Sequence, residues 1–77
     1  MDISLFPNPT REDIQLRSGE DGDLKITVID LQGRVLTSLL SSESLITIGS
    51  SQWSSGYYHM IVESSNGKQA NIQFMKE

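Results

Sequence analysis

Apolar and polar residues alternate with a period near two along most of this chain, in segments of strand length. "LKITVID" (24–30) shows the alternation most cleanly: Leu24, Ile26 and Val28 fall on one side, Lys25 and Thr27 on the other. "YYHMIVES" (57–64) puts Tyr58, Met60 and Val62 on one face, and "QANIQFMK" (69–76) groups Ala70, Ile72 and Phe74. "SLF" (4–6), "DIQL" (13–16) and "SLITI" (44–48) are shorter pieces of the same kind. "VLTSLLS" (35–41) is strand-like, but its leucines fall on both sides and its buried face is not readable. β-Branched residues are frequent, and no segment carries a sustained helical stripe.

The intervening segments are turn chemistry. They are "SGEDGD" (18–23), "DLQGR" (30–34), "GSSQWSSG" (49–56) and "SNGK" (65–68). Serines gather at these strand ends, where hydroxyls satisfy local backbone groups. Asn66-Gly67 is the strongest hairpin signal and predicts a two-residue turn with positive φ at both positions. Gly33 is expected to supply the left-handed position of its turn, and Gly56 a bend just before a strand. Short strands at this spacing, with turns every 8–12 residues, predict an all-β antiparallel sandwich or barrel.

Length and composition narrow the picture. With 77 residues the chain is one domain, residues 1–77. A domain of this size buries only about 60% of its unfolded surface. It has no cysteine, so packing rather than disulfides must hold it. A zinc site would have only His59 and carboxylates to draw on, a poor donor set. Six basic residues against ten acidic ones leave a net charge of −4, which argues against nucleic acid and against anionic lipid as partners. No apolar run approaches the roughly 20 residues of a membrane span, and no secretory signal is present.

The sequence offers no catalytic constellation. No serine lies in a G-x-S-x-G elbow. His59 falls between Tyr58 and Met60 and therefore points away from the core, as a solvent-facing or edge-strand residue rather than a general base. "GEDG" lacks the lysine and the following helix of a phosphate loop. Glu20, Asp21 and Asp23 do not have EF-hand spacing and read as a solvated turn. Trp53, Tyr57 and Tyr58 could offer a sugar-stacking platform; Trp53 and Tyr58 read instead as core, and Tyr57 as exposed. The residues thus nominate no catalytic, cofactor or metal site.

Four motifs in order carry a resemblance. Phe6-Pro7-Asn8-Pro9 opens the chain, Val28-x-Asp30-x-x-Gly33-Arg34 follows, then Ser55-Gly56-x-Tyr58, and a last strand holds Phe74 and Lys76. In this order and at this spacing the chain resembles the type A C-terminal sorting domain of the type IX (Por) secretion system of Bacteroidetes, from Leu5 to Lys76. Arg11 and Glu12 stand where such domains often have a small residue or glycine, and Gln73 where a lysine is common. The resemblance implies an immunoglobulin-like antiparallel β-sandwich of about seven short strands. It also implies a non-catalytic signal domain, without cofactor, at the C-terminus of a cargo protein. Its implied partners are the outer-membrane translocon with its shuttle proteins and a surface sortase of the cysteine-peptidase type, which usually removes the domain. The implied route runs through the periplasm to the cell surface or beyond, without insertion of the domain into the membrane. The proline segment would end the first strand, since proline fixes φ near −65° and disfavours helix before it. The competing reading is a stand-alone adhesive or carbohydrate-binding immunoglobulin-like module. Self-association is expected to go no further than a monomer or a weak dimer that exchanges its first strand.

Overall fold

The alternating segments become seven strands among the described residues, and the turn signals become the loops between them. The computed structural model describes residues 2–7, 11–20 and 22–77. Asn8 and Pro9 of the proline segment and Asp21 of the acidic loop lie outside the described residues. The strands are β1 (Ile3–Phe6), β2 (Asp13–Ser18), β3 (Leu24–Asp30), β4 (Val35–Ser41), β5 (Leu45–Gly49), β6 (Gly56–Ser64) and β7 (Gln69–Lys76).

They form two antiparallel sheets, one ordered β1-β2-β5 and the other β4-β3-β6-β7. Two hairpins, β3–β4 and β6–β7, lie side by side through the β3–β6 pairing, and the chain crosses to the other sheet between them to lay down β5. This is the sandwich arrangement of immunoglobulin-like domains. Each sheet turns one set of alternate residues inward. Ile14, Leu16, Ile46 and Ile48 come from one sheet; Leu24, Ile26, Val28, Tyr58, Met60, Val62 and Phe74 come from the other. Burying each large side chain contributes about 1.5–3 kcal/mol against exposure, which makes this single layer the main source of stability.

β4 is the strand whose facing the pattern left open, and the structure supplies the reason. It is an edge strand, paired only to β3 within its sheet, and none of its residues is fully buried. Thr37, Leu39 and Ser41 lie opposite the inward-facing Val28, Ile26 and Leu24, while Ser38 and Leu40 lie opposite the outward-facing Thr27 and Lys25. β7 keeps Ala70, Ile72 and Phe74 on one face, yet only Phe74 is fully covered. His59 lies on the outer face of the four-stranded sheet, between Ile29 and Gln73, but on an interior strand.

The hairpin at Asn66-Gly67 differs from expectation. No described residue other than glycine has positive φ; Gly67 alone takes the left-handed position, at φ 90°. The loop contains three residues, closed by Ser64 N–H donating to the Lys68 carbonyl (2.8 Å) and Gly67 N–H donating to the Ser64 carbonyl (3.1 Å). The physical reason is Ser64, whose hydroxyl oxygen accepts the Lys68 N–H at 3.1 Å and selects the longer loop. Glu20 of the acidic loop lies 3.7 Å from Lys68 and is mostly covered, so that part of the loop is tied to the hairpin.

Candidate functional site

The first hairpin turn repeats this geometry at the opposite end of the sheet. Asp30 N–H donates to the Arg34 carbonyl and Gly33 N–H to the Asp30 carbonyl, both at 3.0 Å, with Gly33 at φ 84°. Asp30 takes the role of Ser64 and performs it more completely. Its Oδ1 accepts the N–H groups of Gln32 and Arg34, each at 2.9 Å, and its Oδ2 accepts Arg34 Nε–H at 2.8 Å. The D-x-x-G-R spacing is what lets one carboxylate serve three donors. These donors hold the Asp30 carboxyl below the usual carboxylate range: the Arg34 backbone N–H contributes most, with the Arg34 side chain and the Gln32 N–H adding to it and partial desolvation opposing.

Two predictions arise at this turn. A Cβ at Gly33 would meet nothing within 4 Å, so the position demands glycine for its backbone alone. Gly33→Val should therefore lower stability by more than about 1 kcal/mol and Gly33→Asn by less, since asparagine tolerates positive φ. Thermal melts that coincide for both variants and the parent would exclude the geometry. The second prediction concerns pH. Because the folded-state value of Asp30 is depressed, its contribution is complete above the unfolded carboxylate value of about 3.9 and is lost as pH falls through the folded value. Asp30→Asn should thus lower the melting temperature most near neutrality, with the gap to the parent closing below about pH 4. A gap that stays constant down to strong acid would show that the carboxylate charge plays no part.

Strand register gathers the other motif positions beside this turn. Asp30 pairs with Tyr58, Tyr58 with Phe74, and Gly56 with Lys76. Tyr58 is buried, and its ring lies 5.9 Å from Phe74 in a stacked arrangement and 5.4 Å from Trp53 in a tilted one. Its hydroxyl donates to the Ser54 carbonyl at 2.5 Å, a tie of the tyrosine-corner kind that pins the loop before β6. Gly56 begins β6 at φ 146°, a value other residues rarely take. Trp53 is half-buried and packs on the core, as its sequence context implied, while Tyr57 is half exposed.

Lys76 is buried, because position 76 follows Phe74 by two and shares its inward face. Its Nζ donates to the carbonyls of Arg11 (2.5 Å) and Glu77 (2.9 Å), which ties β7 to the segment that follows the proline motif. Arg11 also meets Glu77 at 2.8 Å on the surface. Phe6 ends β1 with the Arg17 guanidinium 5.4 Å from its ring centre, and the Phe6–Pro7 peptide is cis. Pro7 lies with Arg11, Glu12 and Asp13 around a shallow depression. Sequence reasoning missed Ser50. It is fully buried, and both its N–H and its hydroxyl donate to the Glu12 carbonyl, at 2.6 and 2.5 Å. The signal was available: Ser50 continues the inward series Ile46, Ile48.

The result is one end of the sandwich built from motifs spread over the whole sequence. Between the Asp30–Arg34 turn and the loop before β6 runs a cleft of about 360 Å³, lined among others by Leu31, Arg34, Leu36, Trp53 and Tyr57. Leu31 is 65% exposed and Tyr57 50%. Among the described residues no group of three or more His, Cys, Asp or Glu side chains is placed to hold a metal. The surface is apolar and aromatic beside a guanidinium, a combination suited to contact with another polypeptide.

The model of the family described as "secretion system C-terminal sorting domain" matches residues 4–76. No curated protein matches the sequence. Among solved structures, PorZ, described as an essential bacterial surface component of the type-IX secretion system of Porphyromonas gingivalis, superposes with a TM-score of 0.85 at 20% sequence identity. The alignment covers 97% of this chain and 11% of PorZ, and at that identity the likeness is one of fold.

Proposed function

Because this chain belongs to the secretion-system C-terminal sorting domain family, the tails that mark cargo for type IX secretion, we propose that it is a folded export signal read at the end of the sandwich that carries the Asp30–Arg34 turn. The observation that supports this reading of the site is the convergence of Asp30, Gly33, Arg34, Gly56, Tyr58, Phe74 and Lys76 on that end. In this scheme Asp30, Gly33, Gly56, Tyr58, Phe74 and Lys76 set the shape, and the exposed Leu31, Arg34 and Tyr57 make the contact. Phe6 to Pro9 lead the cargo into the domain. The partners are the outer-membrane translocon and its shuttle proteins, met in the periplasm, and a surface sortase that cuts upstream of the domain. The domain itself performs no catalysis and needs no cofactor, and one copy per cargo suffices.

The test is a fluorescent reporter with a periplasmic export signal, fused to residues 1–77 in a host with an active type IX system. The intact fusion is expected at the cell surface or in the medium. Leu31→Ser/Tyr57→Ser, which alters the exposed contact and spares the core, should leave a folded fusion in the periplasm. Retention of the intact, folded fusion would overturn the export role. Export of the folded double variant at parental level would overturn the assignment of the recognised end.

A further inference from the structure

Of the three asparagines in the sequence, only Asn66 is followed by glycine. Asn8 precedes a proline, which has no N–H to give up, and Asn71 precedes the β-branched Ile72. Asparagine is a thermolabile residue, because its side-chain carbonyl carbon Cγ lies within reach of the next backbone nitrogen. Attack by that nitrogen closes a five-membered ring, and glycine, having no Cβ, leaves the approach open. Asn66 and Gly67 are both exposed, and a Cβ at Gly67 would meet nothing within 4 Å. Water and space are thus present at the pair.

The closed hairpin keeps the same atoms from reacting. Gly67 N–H donates to the Ser64 carbonyl at 3.1 Å, so the proton that must leave is already engaged. Asn66 Oδ1 accepts the Ser64 hydroxyl. The Lys68 N–H is shared between Ser64 Oγ at 3.1 Å and Asn66 Oδ1 at 3.2 Å. Ring closure requires the peptide between residues 66 and 67 to turn, and these bonds oppose the turn. We propose that Asn66 is a site of spontaneous covalent modification, gated by opening of the β6–β7 hairpin, with Ser64 as the residue that holds it closed. In the open hairpin the Gly67 nitrogen bonds to Asn66 Cγ, the Cγ–Nδ2 bond breaks, and the amide proton leaves with Nδ2 as ammonia. Water then opens the cyclic imide. Attack at the side-chain carbonyl gives aspartate, which accepts the same two donors and keeps the loop. Attack at the backbone carbonyl gives isoaspartate, which lengthens the main chain by one methylene. That product displaces the start of β7, the strand that carries Phe74 and Lys76. A chain that stays open for long is altered at the hairpin it needs to close its core.

The test is peptide mapping by mass spectrometry of the 77-residue chain, incubated near neutral pH in native buffer and in denaturing guanidinium chloride. Conversion adds about one mass unit to the peptide containing residue 66, and chromatography separates the two products. The denatured chain is expected to convert at least about tenfold faster than the folded one, because reaction then needs no local opening. Ser64→Ala in native buffer should convert about two- to tenfold faster than the parent, the factor by which one lost hydrogen bond shifts a local equilibrium. In denaturant the two should convert equally, which separates loss of closure from a change in intrinsic reactivity. Ser64→Thr restores the hydroxyl and should return the native rate to that of the parent. The ratio between native and denatured parent depends on no variant folding. Equal rates for the parent in the two solvents, or a folded Ser64→Ala that converts no faster than the parent, would overturn the proposal.

Discussion

Phe74→Ala is expected to abolish the cooperative unfolding transition of the isolated domain. Phe74 is the largest fully buried side chain and touches both Trp53 and Tyr58. Truncating a buried phenylalanine costs about 3–5 kcal/mol, from lost transfer energy and from the cavity left behind. A single core in a chain this short rarely supplies more than about 3–5 kcal/mol in total, and here no disulfide adds to it. The variant should show a disordered circular dichroism spectrum at 25 °C, and the reporter fusion carrying it should not be exported. A cooperative melt within a few degrees of the parent would show that the aromatic cluster is not the keystone of the core.

The second large effect is a contrast within one hairpin. Ile26 and Leu40 are both aliphatic and lie on adjacent strands, but Ile26 is fully buried while Leu40 stands in solvent on the outer face. Ile26→Ala should cost about 2–5 kcal/mol, and Leu40→Ala should stay within about 0.5 kcal/mol of the parent. Urea titrations give both values directly. Similar losses at the two sites would show that Leu40 is not exposed in solution and that the facing of β4 is wrong.

That contrast also marks how far the sequence could be read. β2, β3 and β6 each have one face in the core and one toward solvent, so hydrophobicity alternates with the pleat and both strand and facing are legible. β4 has no fully buried face; at a sheet edge the energetic difference between its two sides is small, and no pattern is imposed. The burial of Lys76 is illegible for the opposite reason. A lysine signals solvent by type, and only its spacing from Phe74 reveals the inward position, where two carbonyls replace water. At Asn66-Gly67 the dipeptide signal was real, but loop length was decided by a hydroxyl two residues earlier. For the candidate site, the residues were named by resemblance, and their meeting at one end depended on pairings such as Asp30 with Tyr58 that local pattern does not encode.

The position of β7 has a consequence for how the domain comes into being. Strands β1 to β6 are complete before residue 69 is made, yet the core then still lacks Phe74, and the outer edge of β6 is bare. The tie from Lys76 back to Arg11 closes a loop of chain whose ends are 65 residues apart, and it forms only after Lys76 itself has been added. Pairings this distant in sequence form late and together. Within these 77 residues, a closed core is therefore a record that β7 has been made: a chain that stops before it leaves Trp53 and Tyr58 without their aromatic partner.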